Sequence, residues 1–63
     1  MGHLRPKLKM FDRVCRIDDP RHVGIVTLMF KWKRYEEWTA NVRWLDTNWD
    51  EYVPMAMLVH AED

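Results

Sequence analysis

Apolar residues recur along this chain at the two-residue period of β-strands, and nowhere at helical spacing over a useful length. The clearest case is Trp38 to Trp44. Trp38, Ala40, Val42 and Trp44 share one face, while Thr39, Asn41 and Arg43 take the other, as a half-buried antiparallel strand requires. Phe11 to Ile17 is rich in β-formers, but Val14 and Ile17 have opposite parity, so a bulge or a strand end is expected near Arg16. Val23 to Trp32 predicts the longest strand. Val26, Leu28, Phe30 and Trp32 lie on one parity and Val23, Ile25 and Met29 on the other, a strand apolar on both faces. Trp49 to Val53 and Leu58-Val59-His60 complete the set.

The punctuation between these runs agrees with them. Asp18-Asp19-Pro20 and Asp46-Thr47-Asn48 are turn formers, because aspartate and asparagine bond to nearby backbone and tolerate left-handed dihedrals. Pro54 opens a short turn, of 3₁₀ type, through Ala56. Lys33-Arg34-Tyr35-Glu36-Glu37 reads as a charged loop. Residues 1–10 read as a basic, poorly ordered lead-in and 61–63 as a tail, which leaves residues 11–60 to fold. The expected architecture is all-β: a small five-stranded barrel with a core of Val14, Ile25, Val26, Leu28, Ala40, Val42 and Leu58.

Several segments resemble Src-homology-3-like barrels, a group that includes KOW and Tudor domains. Phe11-Asp12-Arg13-Val14 is similar to their opening strand, although Phe11 stands where the family usually has glycine. Val23-Gly24-Ile25-Val26 is similar to the second strand. Val42-Arg43-Trp44-Leu45-Asp46 and Val53-Pro54-x-x-x-Leu58 resemble the third-strand hairpin and closing turn of Tudor-like members. A more distant scaffold similarity links Asp12-Arg13-Val14, Gly24-x-Val26 and Pro54-x-Ala56-x-Leu58 to the type II dihydrofolate reductases. Their valine-glutamine-isoleucine-tyrosine catalytic segment is replaced here by Asp50-Glu51-Tyr52-Val53. That likeness therefore carries no active site.

Composition narrows the function. The chain has 63 residues, enough for one small domain, and its formal net charge is zero, which removes the simplest argument for a dedicated nucleic-acid binder. The charge is nevertheless split. Residues 1–34 hold nine bases against Asp12, Asp18 and Asp19; residues 35–63 hold Arg43 alone against seven acids. The single cysteine, Cys15, excludes an internal disulfide and fits a reducing cytoplasm. The longest apolar stretch, Val23 to Phe30, falls well short of the ~20 residues that span a bilayer. His3, His22, His60 and Cys15 lack metal-ligand spacing, and with two glycines there is no phosphate loop; neither enzyme activity nor a cofactor is expected.

Two surfaces remain as candidates. Trp44, Trp49 and Tyr52 cluster around the 46–48 turn with Asp46, Asp50 and Glu51 nearby. Rings and carboxylates together suit a cation, and the Tudor-like resemblance implies a cage for methylated lysine or arginine. Arg21, Lys31, Lys33 and Arg34, interleaved with aromatics, suit phosphates and unpaired bases, as in RNA. The expected function is a binding module for a protein, a peptide or RNA. The alternative is a homo-oligomer whose tryptophans, second strand face at Met29, Met55 and Met57 form a subunit interface.

Overall fold

A computed structural model describes residues 8–31 and 37–61. Its strands are β1 (Arg13–Arg16), β2 (Asp19–Lys31), β3 (Trp38–Trp44), β4 (Asp50–Pro54) and β5 (Leu58–His60), with a 3₁₀ turn at Met55–Met57 between the last two. All pairings are antiparallel, in the order β4-β3-β2-β1-β5.

The sheet does not close. β4 and β5 are its two edges, and no ladder joins them. The expected Src-homology-3-like barrel, with its Tudor-like and KOW-like variants and the reductase scaffold, is therefore not formed. The sheet curls without closing, and the connection forces the curl. In a flat five-stranded sheet the edge strands lie about 19 Å apart. Pro54 and Leu58 are separated only by the 3₁₀ turn, which rises about 2 Å per residue. The edges are joined by chain but not by hydrogen bonds. Pro54, the β4 residue nearest β5, has no N–H to donate, and β5 is only three residues long.

Curling lets one face bury itself. Val14, Val26, Val42 and Val53 are fully buried, and Leu8, Ala40, Trp44 and Leu58 complete the cluster. Leu8 joins it from the segment read as lead-in; residues 1–7 lie outside the described residues. Met29, Met55 and Met57, expected on an outer interface, pack instead against this core. Gly24 is what lets β2 lie so close to β3. A Cβ there would strike Val42 Cγ1 and come within 2.8 Å of Trp44 Cε3 and 2.9 Å of the Arg43 carbonyl.

Two irregularities set which residues point where. The register shifts by three residues between Cys15, opposite Val23, and Arg16, opposite Asp19. β1 ends there, as one of the two expected outcomes near Arg16, and Ile17 beyond it is exposed. A second shift lies between Val26 and Leu28: Val26 faces Val42, but Leu28 already faces Asn41. Thr27 is the extra residue. Its hydroxyl donates to the Asn41 carbonyl at 3.2 Å and accepts from Asn41 Nδ2 at 2.6 Å, which holds the bulge in place. Beyond it the parity of β2 inverts, since an inserted residue exchanges the two faces. Met29 turns toward the core, and Leu28, expected inside, is 49% exposed. Ile25 is half-buried.

Candidate functional site

The Thr27 bulge builds an apolar patch on the face opposite the core. Below it, β3 and β4 continue the rows across the sheet. Leu28, Asn41 and Tyr52 form one row; Phe30, Thr39 and Pro54 flank it on one side, and Ile25, Arg43 and Asp50 on the other. Tyr52 is 63% exposed and meets Phe30 edge-on, with ring centroids 5.2 Å apart. Asn41, the short residue in the middle row, leaves a hollow of about 300 Å³ lined by Leu28, Asn41, Asp50, Glu51 and Tyr52.

Charge sits at one end of that hollow. Arg43 grips Asp50 with two bonds, Nε to Oδ1 at 2.9 Å and Nη2 to Oδ2 at 3.3 Å. That hydrogen-bonded guanidinium holds the Asp50 carboxyl below the usual carboxylate range, and Asp50 in turn raises Arg43. Asp50 stays ionised within its pair with Arg43, so the hollow presents an aromatic ring, an aliphatic floor and, at its rim, that ion pair beside a second carboxylate, Glu51. A side chain with an apolar stem and a cationic head, lysine or arginine, matches it.

The aromatic trio around the turn does not converge. Trp44 is buried: its indole N–H donates to Glu51 Oε1 at 2.8 Å, and its ring stacks on His22 at 4.0 Å. Glu51 Oε2 also lies 3.9 Å from Arg16 Nη1, so that carboxylate serves the rim of the core. Nε2 of His22 is shielded from solvent and 3.1 Å from Asp46 Oδ1, but it lacks the alignment of a hydrogen bond. Trp49 is 72% exposed; its carbonyl accepts the Trp44 N–H, and alternation along the segment sends its ring to the face opposite Tyr52. Of the expected cage, Tyr52 alone belongs to the outer hollow. The turn itself depends on Asn48, which takes a left-handed φ of 61° and donates its N–H to the Trp44 carbonyl.

The basic candidates are also dispersed. Arg21 and Lys31 are exposed near opposite ends of β2, ten residues apart, a contour of about 33 Å. Lys33 and Arg34 lie outside the described residues, as do Trp32, Tyr35 and Glu36. Sequence reasoning set Asn41 on the outer face but missed Leu28 and Phe30 as its neighbours there. The available signal was Thr27, a hydroxyl residue in the middle of a strand apolar on both parities.

Among the described residues no group of histidine, cysteine and carboxylate side chains is placed to hold a metal ion, and no helix is long and apolar enough to cross a membrane. Compared with protein-family models, with curated proteins and with solved structures, the chain matches none.

Proposed function

We propose that this chain is a non-enzymatic binding module that takes a basic peptide segment on the outer face of β2, β3 and β4. The observation that carries the reading is the hollow at Leu28, Asn41 and Tyr52, lined also by the carboxylates Asp50 and Glu51. Exposed aromatic residues are over-represented where proteins meet, because a large ring desolvates well and loses little entropy. Tyr52 is already braced by Phe30, which lowers that cost further. RNA is the weaker reading, since Arg21 and Lys31 stand too far apart to share one short stretch of phosphates.

Chemical-shift titration separates the two. A short peptide of alternating lysine and valine is expected to move the signals of Leu28, Asn41, Asp50 and Tyr52. A mixed-sequence oligonucleotide is expected to leave them still. Shifts at Arg21 and Lys31 with the oligonucleotide, and none at Tyr52 with the peptide, overturn the proposal.

A further inference from the structure

The exposed edge of β4 runs directly beside the hollow, and its hydrogen-bonding groups follow from the ladder. Trp44 donates its backbone N–H to the Trp49 carbonyl at 2.9 Å, so Trp44, Val42 and Ala40 turn their backbone groups toward β4. Their partners Glu51 and Val53 use theirs in return. Asp50 and Tyr52 alternate with these and turn N–H and C=O away from β3, toward the open edge. Pro54 is the next outward position, and there the missing N–H interrupts no bond to β3.

We infer that β4 is a strand-addition site: an extended basic peptide pairs antiparallel or parallel with Asp50 to Pro54 and sets an outward side chain against Tyr52. The inference rests on the basic-peptide reading above and specifies how the peptide is held. Main-chain bonds to Asp50 and Tyr52 supply sequence-independent attachment, while the neighbouring hollow selects the side chain. Charge decides the occupant. From Asp46 to Pro54 the chain carries Asp46, Asp50 and Glu51 and no base. Arg43 pairs with Asp50, whereas Arg16 stands 3.9 Å from Glu51 and His22 3.1 Å from Asp46 without a hydrogen bond, so negative charge is in excess along this segment. An acidic strand is repelled from this edge and a basic one attracted. Pro54 terminates the run of outward donors, so the added strand makes two N–H contacts from β4 and no more.

The test is amide hydrogen exchange on the intact chain, with and without the alternating lysine-valine peptide. At about 90% saturation the Asp50 and Tyr52 amides are expected to exchange about tenfold more slowly, whereas Glu51 and Val53, already in the ladder, change little. The same peptide with its backbone nitrogens methylated on alternate residues, in both phases, is expected to lose the effect in at least one phase. Peptide binding with Asp50 and Tyr52 still exchanging freely refutes strand addition but leaves the basic-peptide function standing. No binding refutes both. Protection that rises with protein concentration and no peptide shows that a second copy occupies the edge, which overturns the inference.

Discussion

Gly24→Ala is the smallest change that tests how this sheet packs. The new methyl group enters between β2 and β3, where Val42 Cγ1, Trp44 Cε3 and the Arg43 carbonyl already stand within contact distance. None of these yields cheaply. Val42 is fully buried, Trp44 is pinned by its bond to Glu51 and its stack on His22, and the carbonyl belongs to the backbone of β3. Overpacking of this kind costs about 1–3 kcal/mol, and sometimes more. Against it, alanine reduces the entropy of the unfolded chain, worth about 0.4–1 kcal/mol where its conformation is unstrained. The expected net loss is about 1.3 kcal/mol, a large share of the few kcal/mol a domain this small possesses. With about 4–8 °C per kcal/mol for small domains, the melting temperature should fall by about 5–10 °C. Circular dichroism gives the midpoint, and tryptophan fluorescence reports whether Trp44 has been pushed from its place. An unchanged or raised midpoint refutes the close β2–β3 approach at Gly24.

Three further perturbations probe other parts of the fold. Phe11 is held at a φ of 71° with its ring 72% exposed, so Phe11→Gly relieves left-handed strain and is expected to stabilise by about 1 kcal/mol; a lower urea midpoint contradicts this. The Thr27 bulge predicts opposite outcomes on its two sides: Val26→Ala should cost on the order of 2 kcal/mol and Leu28→Ser less than about 1 kcal/mol, and equal losses argue for unbroken alternation. Acid is the third. Asp12 is held below the usual carboxylate range first by its hydrogen bond to His60 and then by the Lys9 amide, Asp18 by Arg16, and Asp50 by Arg43. Groups lowered on folding stabilise above their unfolded pKa, about 4, and lose that contribution as pH falls through the lower folded values. Their contribution should therefore hold from neutrality to about pH 5 and fade below about pH 4. A melting temperature that rises on acidification to about pH 3 contradicts the three pairings.

What the chain reveals in advance is local. The 38–44 alternation locates β3 to the residue, and Leu58-Val59-His60 locates β5, because each is a run with one simple parity. Val14, Val26, Ala40, Val42 and Leu58 are core residues for the same reason. The misjudged residues depend on contacts between strands. Leu28 falls outside because of one extra residue at Thr27, whose effect appears only when Asn41 is found opposite. Trp44 leaves the expected cage because it keeps the parity of Ala40 and Val42 and faces the core, where its indole N–H also meets Glu51 from the next strand. Closure is the least legible of all. Five strands and a proline-started turn describe a curled sheet and a closed barrel equally well, and the difference lies in whether β4 and β5 pair at their edges.

If the outer hollow binds a basic peptide, Tyr52→Ala removes the ring at its centre. Tyr52 is 63% exposed and outside the core, so the variant should melt within a few degrees of the parent chain. Titration calorimetry with the alternating lysine-valine peptide should then show affinity reduced about tenfold or more, as expected when a central aromatic contact is removed. A dissociation constant unchanged by the substitution, in a variant that is fully folded, would show that the peptide does not rest on Tyr52.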